Sequence, residues 1–335
     1  MAVQIYVGGS WRSVSSIQVY TGSQWKTLNA LKVQVSSAWK DAWAVSGPSP
    51  VCTYNCGGYY NTPSWLNVIQ KLDFSNETIS TISATLTSGR MYMAPAYSSN
   101  YGYQMGGQIS GNVLINAIDR LQYSTESISN ISATMPSNFY AGAGASSVTK
   151  GYSLGGYDNS VRMNTVTGIV FASETVASLS GKLGTGKSHT NGVHCNTKGY
   201  VGGGYTSGGA TSNIEGVTFA SDTLFSLSAV LTMAKYCAGS VFSPNKGYWN
   251  GGSPTNSRID ALSFSSETVA LCTATNGQYG QGSGSSLTKG YWMGGNYTNG
   301  IYRFIFSSET CSSFGIFLYQ AMSYSVALNY WTGIK

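Results

Sequence analysis

Short runs in which apolar and polar residues alternate follow one another along the whole chain, and no stretch shows helical spacing. Near the N-terminus Val3, Ile5 and Val7 alternate with polar residues, and residues 31–35 repeat the pattern. Strict alternation over a few residues is typical of a strand that buries one face. Glycine, serine and asparagine, which favour turns, separate the runs. The pattern predicts an all-β chain of many short strands.

Three tryptophans, Trp11, Trp25 and Trp39, stand 14 residues apart, each after a strand-like run and a small turn. Gly-Gly and Gly-Ser pairs in these turns predict β-hairpins. Three such units are too small for a generous core. We therefore expect residues 1–45 to be a small anchor that associates with copies of itself or with a partner. Residues 46–50, rich in Pro and Gly, are predicted to be a linker, and residues 51–335 a second domain.

From residue 53 onward a repeat of about 48 residues organises the chain. A period in this range indicates an array of repeated units or a propeller. One column of the repeat is a tyrosine shortly before a double glycine, at Tyr54, Tyr103, Tyr152, Tyr200, Tyr248 and Tyr291. A second column is an aromatic residue before a Ser-Glu-Thr-like turn, at Phe74, Tyr123, Phe171, Phe219, Phe264 and Phe306.

Residues 150–197 show the content of one unit. Residues 150–156 are a strand ending in Gly-Gly, 166–171 a second strand and 176–179 a third, and a small-residue strand such as 141–145 completes the unit near a crowded axis. Four short antiparallel strands, repeated about six times, predict a β-propeller. We expect six blades, with the two chain ends meeting to close the ring. Tyr330 is a seventh tyrosine of the first column, so a seven-bladed ring is the alternative.

The repeat resembles the kelch repeat over about residues 53–333. The resemblance is carried by Gly-Tyr-x-x-Gly-Gly at 247–252, an Ile-Asp-x-Leu-x-Phe-like strand at 259–264 and the Ser-Glu-Thr turn at 266–268. The chain departs from kelch because the tryptophan after the turn is missing. The resemblance implies a kelch-like propeller, and it implies nothing about chemistry, since one fold serves many functions.

The N-terminal unit, Val-Tyr-x-Gly-x-x-Trp-Lys with variations, resembles short modules of bacteriophage virion proteins, especially tail and fibre components. It covers about 45 residues. Joined to a propeller, it implies an anchor followed by an adhesin-like head. The partners expected from it are other virion proteins bound through residues 1–45, with assembly as a homo-oligomer on the particle.

Composition narrows the function classes. Only 9% of the residues are charged and the formal net charge is +6, without a basic run, so nucleic-acid binding has little support. No apolar stretch approaches the length of a membrane span. The N-terminus has neither a cationic segment nor a long apolar one, so we expect no signal peptide and synthesis in the host cytoplasm, with the virion as final location.

The acidic residues argue against an enzyme. Glycan hydrolysis needs two carboxylates beside the scissile bond. A residue that recurs at one position of the repeat serves the repeat. Most of the acidic residues recur in this way, in two columns. The first is the turn column, Glu77, Glu126, Glu174, Asp222, Glu267 and Glu309, and the second is Asp119, Glu215 and Asp260. Only Asp73 and Asp158 then remain in this region.

Histidines and cysteines lead to the same expectation. His189 and His194, expected in one loop, are too few for the copper radical oxidases found among kelch-like propellers. The cysteines occupy positions where other repeats carry Ser, Ala, Val or Ile; Cys237, for example, matches Ala141. We therefore expect inert packing residues, no metal, no cofactor and no catalysis.

The variable loops remain as the candidate binding surface. Aromatic rings next to amides, hydroxyls and arginine suit sugar rings, which stack on the aromatic face and offer hydroxyls for hydrogen bonds. We expect a receptor-binding component of a phage tail fibre or spike that contacts a host-surface glycan or protein. The alternatives are a purely structural or decorating protein of head or tail and a glycan-active enzyme. The candidate residues are Tyr59, Tyr60, Trp65, Arg90, Tyr140, Arg162, Tyr205, Tyr236 and Tyr297.

Overall fold

The computed structural model describes residues 4–332 apart from 8–9, 14–16, 21–24, 29, 36–37, 45–48, 62–63 and 255–256, and only the backbone of residues 4–50 and of Thr332. Within this part of the chain the only helical element is the 3-10 turn Ser110–Asn112. The predicted all-β class is therefore confirmed. Internal contacts divide the chain into two units, Met1–Pro48 and Ser49–Lys335.

Three antiparallel hairpins make up the described part of the first unit. Strand β1 (Gln4–Val7) pairs with β2 (Ser10–Ser13), β3 (Ile17–Tyr20) with β4 (Trp25–Leu28), and β5 (Ala30–Val35) with β6 (Ala38–Ala44). Each repeat tryptophan lies in the second strand of its hairpin, as Trp11 does opposite Tyr6. The predicted turns and residues 46–48 of the predicted linker lie outside the described residues. Ser49 and Pro50, also assigned to the linker, belong to the next strand.

The second unit is built from short strands. In chain order they are β7 (Ser49–Cys56), β8 (Tyr59–Tyr60), β9 (Ser64–Trp65), β10 (Ile69–Asp73), β11 (Thr78–Thr81), β12 (Arg90–Met91), β13 (Ala94–Tyr97), β14 (Tyr101–Met105), β15 (Gln108–Ile109), β16 (Val113–Leu114), β17 (Ile118–Gln122), β18 (Ser127–Asn130), β19 (Ala143–Ser146), β20 (Lys150–Tyr157), β21 (Arg162–Val170), β22 (Thr175–Lys182), β23 (Asn191–His194), β24 (Lys198–Gly202), β25 (Tyr205–Thr206), β26 (Gly209–Ala210), β27 (Asn213–Thr218), β28 (Thr223–Val230), β29 (Gly239–Phe242), β30 (Lys246–Asn250), β31 (Arg258–Ser263), β32 (Thr268–Thr275), β33 (Gly282–Ser285), β34 (Lys289–Met293), β35 (Gly300–Ile305), β36 (Thr310–Phe317) and β37 (Val326–Thr332).

Most of these strands form four-stranded antiparallel sheets, one for each repeat. Sheet 1 has the order β37-β7-β10-β11, and sheets 2 to 6 follow as β13-β14-β17-β18, β19-β20-β21-β22, β23-β24-β27-β28, β29-β30-β31-β32 and β33-β34-β35-β36. The C-terminal strand β37 thus completes the first sheet by pairing with β7. Tyr330 lies in β37 and therefore belongs to sheet 1.

The first strands of the sheets approach one another closely, which explains their small residues. Each first strand contacts those of the preceding and following sheets, and β37 contacts both β33 and β13. A Cβ atom on Gly144 would lie 1.9 Å from the Pro95 carbonyl oxygen, and one on Gly192 would lie 2.1 Å from that of Gly144. No side chain fits between these backbones. The predicted crowding of the small-residue strand is confirmed at these positions.

Because neighbouring strands are antiparallel, the connections between them fall at two opposite ends of each sheet. The turns between first and second strands and between third and fourth strands share one end. The loops after the double glycine and before each first strand share the other. Since β7 begins at Ser49 and β37 ends at Thr332, and these two residues pair, the unit's first and last strand residues both lie at the former end.

Candidate functional site

The repeat columns meet between neighbouring sheets in a contact that we call the clasp. Between sheets 4 and 5, the Tyr200 ring stacks on the Phe264 ring with centroids 5.5 Å apart. The Tyr200 hydroxyl donates to Glu267 Oε1 over 3.0 Å, and Lys198 Nζ lies 2.7 Å from the same oxygen. One carboxylate in the turn of one sheet therefore holds a phenol and a cation of the preceding sheet.

The same clasp joins every sheet to the next and sheet 6 to sheet 1. Equivalent rings stack at centroid distances of 5.3 to 5.6 Å. The other hydrogen-bonded sets are Tyr54, Lys71 and Glu126; Tyr103, Arg120 and Glu174; Tyr152, Lys150 and Asp222; Tyr248, Lys246 and Glu309; and Tyr291, Lys289, Arg303 and Glu77. All six turn acids are occupied in this way. We call this end of the sheets the clasp end.

Backbone conformation makes the clasp acids unusual. Glu267 has φ of 53°, and the other turn acids have φ between 49° and 55°. This left-handed region costs a residue with a Cβ atom about 1 kcal/mol and favours glycine. An acid at every such position, in contact with the preceding sheet, indicates that the side-chain contacts outweigh the backbone cost.

Hydrogen bonding keeps four of these carboxylates charged, those of Glu77, Asp222, Glu267 and Glu309. Burial acts to raise the pKa of Glu77, but the hydrogen bonds from Lys289 and Tyr291 outweigh it, and the pKa is lowered. The pKa of Glu267 is lowered first by its hydrogen bond from Lys198. The pKa values of Asp222 and Glu309 are lowered in the same way, so these four carboxylates stay ionised and paired at neutral pH.

The second acid column lies in the interior, where each acid pairs with a cation from the loop before a first strand. Lys235 Nζ lies 2.7 Å from Asp260, and Lys187 Nζ lies 2.6 Å from Glu215. Arg90 forms the third pair, with Asp119, and both side chains are fully buried. Arg90 was predicted to be a ligand-binding residue. Its guanidinium instead serves the interior and is absent from the accessible surface.

Asp73 and Asp158, the two acids outside the columns, do not face one another. Asp73 ends β10 at the clasp end and accepts hydrogen bonds from the amide and hydroxyl of Ser75. Asp158 follows β20 at the opposite end and accepts from Ser160 and Val161. Each carboxylate stabilises its own turn. They are not arranged as a pair around one bond.

A narrow cavity runs between the first strands, lined by Tyr97, His194, Asn329 and other short polar side chains. His194 lies in strand β23, not in the loop where it was expected. The Tyr97 hydroxyl lies 3.2 Å from His194 Nε2 and accepts a 3.3 Å hydrogen bond from Asn329. Burial lowers the pKa of His194 to about 3. The histidine is therefore neutral at physiological pH.

The free cysteines occupy the packing positions that the columns predicted. Cys237 has φ of 54° and donates its amide proton to the His189 carbonyl, just as Ala141 donates to Tyr92. Cys52 and Cys56 are buried in β7. No group of three or more His, Cys, Asp or Glu side chains suited to a metal occurs in the described part of the chain.

At the end opposite the clasps, six backbone amides form a circle. Tyr92 donates its amide proton to the Tyr324 carbonyl over 2.9 Å, and Tyr324 donates to Gly280. All six residues have positive φ, between 54° and 67°. In order, the residues of the circle are Tyr92, Ala141, His189, Cys237, Gly280 and Tyr324. The amide of each residue donates to the carbonyl of the residue before it, and the amide of Tyr92 donates to the carbonyl of Tyr324, which closes the circle.

Aromatic rings surround this circle and contact one another. Tyr92 stacks on Tyr324 at 4.4 Å, and Tyr324 contacts Tyr297 at 6.4 Å. Tyr59 then contacts both Tyr297, at 6.2 Å, and Trp65, at 5.3 Å. These rings are partly exposed, Tyr297 by 42%. We call this side of the sheets the aromatic end.

Six side chains of the aromatic end close a circuit of their own. Four ring contacts of 4.9 to 6.2 Å join its members, and the Arg162 guanidinium lies 5.2 Å from the Tyr157 ring and 4.6 Å from the Tyr205 ring. Burial first, and the charge of Arg162 second, lower the pKa of His189 to about 4. In order the circuit runs Tyr157, Tyr140, His189, Tyr236, Tyr205 and Arg162.

The structure thus places most of the predicted binding residues together. Tyr59, Trp65 and Tyr297 share one group of ring contacts, and Tyr140, Arg162, Tyr205 and Tyr236 share the other. Tyr60 is 36% exposed and follows Tyr59 in β8. Tyr157 and Tyr324 were not predicted, although Tyr157 follows a double glycine just as Tyr59 and Tyr205 do. The side chains of Trp11, Trp25 and Trp39 lie outside the described part of the structure.

The chain matches no family model, and no curated protein matches it. Among the described residues, no helix combines the length and apolarity needed to cross a membrane.

Proposed function

We propose that the second unit is a six-bladed, kelch-like β-propeller in which each four-stranded sheet is one blade. The proposal is supported by the clasps, which link the sheets in cyclic order from sheet 1 to sheet 6 and back. The amide circle contributes one residue from each repeat. Six blades are favoured over seven because Tyr330 belongs to the strand that completes sheet 1. In this arrangement β37 joins the first and last strands of the second unit in one blade.

We further propose that the protein is a non-enzymatic component of a phage virion that binds a glycan or protein of the host surface through its aromatic end. The observation that carries this proposal is the set of contacting, partly exposed aromatic rings at that end. Tyrosine and tryptophan offer rigid apolar faces with a polar edge, and such residues dominate contact surfaces. At the other end of the sheets, the acids of the Ser-Glu-Thr-like turns are engaged in clasps.

The position of the first and last strand residues of the second unit supports a display role. Residue 49, where the second unit begins, pairs with Thr332 at the clasp end. The connection to residues 1–48 therefore leaves from the end opposite the aromatic rings. The aromatic end, on the other side of the sheets from Ser49 and Thr332, is proposed as the displayed end. Residues 1–45 are proposed to bind other virion proteins and to form the oligomer.

The test is binding of the labelled full-length chain to a panel of bacterial strains that differ in surface polysaccharide. We expect saturable binding to at least one strain and its loss in a Tyr205→Ala, Tyr236→Ala double variant. Tyr319→Ala is the matched control, because Tyr319 is 73% exposed and has no ring contact among the described residues. Failure to bind any strain, or equal loss in the control, would contradict the attachment function and favour a purely structural role.

A further inference from the structure

We propose that Arg162 and the aromatic circuit around it form a subsite for a sugar that carries a carboxylate, such as a uronic acid residue of a surface polysaccharide. This inference rests on the proposed function and specifies the ligand of the aromatic end. It follows from the charge, surroundings and fixed position of one guanidinium.

The guanidinium of Arg162 is the cation of the circuit, and the described residues provide it with no carboxylate. Its contacts are the faces of Tyr157 and Tyr205, and its buried Nε–H has no hydrogen-bond acceptor among them. A buried guanidinium donor without an acceptor is costly unless a ligand or solvent supplies one. The side chain is only half-buried, so a ligand can reach the group.

The carboxylates of the same end of sheets 3 and 4 are already engaged. Asp158 is held by Ser160 and Val161 of its own turn, at 2.7 to 2.9 Å. Glu215 is 2% exposed and pairs with Lys187 at 2.6 Å. Neither is paired with Arg162, so its positive charge is available to an anion from outside.

Neighbouring backbone fixes the position of Arg162. It begins β21 opposite Tyr157, across the turn that Asp158 stabilises. A Cβ atom on Gly186 would lie 2.2 Å from the Arg162 carbonyl oxygen, so the following loop packs directly on the arginine backbone. The guanidinium itself lies 5.2 Å from the Tyr157 ring and 4.6 Å from the Tyr205 ring, so both rings restrict its position. A preorganised arginine loses little conformational entropy on binding.

These features favour a carboxylated sugar over other anions. One guanidinium can hold one carboxylate through two parallel hydrogen bonds. A phosphate, with its greater charge, is better matched by several cations, and this circuit holds one. The rings of Tyr140, Tyr205 and Tyr236 supply apolar faces next to the cation, which suit the C–H face of a pyranose.

The experiment is a calorimetric titration of the full chain with two ligands. One is a tetrasaccharide that alternates glucuronic acid and N-acetylglucosamine, and the other is the same tetrasaccharide with its carboxylates reduced to alcohols. We expect the acidic ligand to bind at least about tenfold more tightly, as a charge-assisted hydrogen bond implies. Arg162→Gln should abolish that difference. Tyr205→Ala should weaken both ligands by a similar factor, and Tyr205→Phe should preserve binding.

Lys182→Gln is the matched control, because Lys182 is an exposed cation at the end of β22 and its loss changes the net charge equally. It should leave both affinities unchanged. Melting temperatures establish that each variant is folded. Equal binding of the two ligands, or equal loss in the Arg162 and Lys182 variants, would overturn the subsite while leaving glycan binding by the aromatic end intact.

Two further results would also overturn it. One is the absence of binding to the acidic ligand, in which case the strain panel decides separately whether the proposed attachment function survives. The other is displacement of the acidic ligand by inorganic phosphate at equal concentration, which would identify a general anion site.

Discussion

At the clasp end, every repeat presents a stacked tyrosine, a cation and an acid in the same geometry. The aromatic end differs from repeat to repeat: the residue after the double glycine is a tyrosine at 59, 157 and 205, but Gln108, Ser253 and Asn296 in the other repeats. Both ends hold residues in left-handed backbone conformation. At the clasp end the strain accompanies one repeated contact, whereas at the aromatic end it occurs at residues of different types, from Gly280 and Ala141 to Tyr92 and Tyr324.

This contrast separates residues that hold the sheets together from residues that are available for recognition. Tyr200 and Tyr205 are five positions apart in one repeat, yet the first is fully buried in a clasp and the second is partly exposed beside Arg162. Residue type alone does not distinguish them. Their position relative to the double glycine does, since it places them at opposite ends of the same sheet.

The largest loss of stability is expected at the Lys235–Asp260 pair. Lys235 comes from a loop at the aromatic end, but its ammonium group is buried. Asp260→Ala should lower the free energy of unfolding by about 3–5 kcal/mol, because it leaves the Lys235 charge buried without a partner. Denaturant unfolding followed by tryptophan fluorescence measures this loss.

The matched control replaces both members by residues that another repeat already uses. Met322 and Gln70 occupy the positions equivalent to Lys235 and Asp260 and contact one another. A Lys235→Met, Asp260→Gln double variant should therefore be clearly more stable than Asp260→Ala. A double variant as unstable as the single one would show that the loss does not come from an uncompensated charge.

Acid should weaken the clasp end by protonating its carboxylates. Burial acts to raise the pKa values of Glu77, Asp222, Glu267 and Glu309, but hydrogen bonds and charge pairing outweigh it and lower all four; for Glu267 the hydrogen bond from Lys198 is the largest cause. A carboxyl group with a lowered pKa stabilises the fold at pH values above its unfolded pKa of 4.5 for Glu or 3.8 for Asp, and this stabilisation is lost as the pH falls further.

The free energy of unfolding should therefore drop steeply below about pH 4.5, and Glu267→Gln should show a shallower drop. A separate, earlier decline is expected from His189, whose pKa of about 4 in the fold lies below the ordinary histidine value of 6.5. The folded protein therefore binds fewer protons than the unfolded chain. The stabilisation associated with neutral His189 is lost as the pH decreases from 6.5 toward 4. A pH series of denaturant titrations that stays flat from pH 6.5 to 3 would contradict both statements.

A smaller effect distinguishes the clasp contact from the backbone conformation that accompanies it. Glu267→Ala and Glu267→Gly both remove the contacts to Tyr200 and Lys198, but glycine tolerates φ of 53° and alanine does not. The glycine variant should therefore be about 1 kcal/mol more stable than the alanine variant. Thermal or denaturant unfolding of the two proteins gives the difference. Equal stability would mean that the turn carries no strain.

The smallest stability change is expected at the aromatic end. Tyr297 is 42% exposed and packs only by ring edges against Tyr59 and Tyr324. Tyr297→Ala should change the free energy of unfolding by no more than about 1 kcal/mol. A loss as large as that of Asp260→Ala would place Tyr297 among the residues that hold the sheets together.

Sequence alone predicted the repeat, its strands and the columns, because alternation, Gly-Gly turns and period are local properties. The predicted strand 176–179 corresponds to β22, which extends over Thr175–Lys182. The partner of each column could not be predicted, since Tyr200 contacts Glu267 across 67 positions and the pairing depends on which sheets are neighbours.

Arg90 shows where reasoning from residue type fails. Side-chain direction in a loop is not visible in a sequence, so an arginine near tyrosines was assigned to the surface. One signal was present: Arg90, Lys187 and Lys235 occur in the loops before the same three repeats that carry the interior acids. Pairing the two sets would have placed these cations inside. Arg162, which has no carboxylate partner among the described residues, stands outside that column.

The most direct test of the distinction between the two ends is a paired measurement of cell binding and unfolding for two tyrosine variants of one repeat. Tyr205→Ala should lose most of the binding to the strain that wild type recognises, with little change in unfolding free energy. Tyr200→Phe should lose about 1 kcal/mol of stability with its hydrogen bond to Glu267, and bind as wild type does. The reverse pattern, or loss of both properties in both variants, would contradict the account.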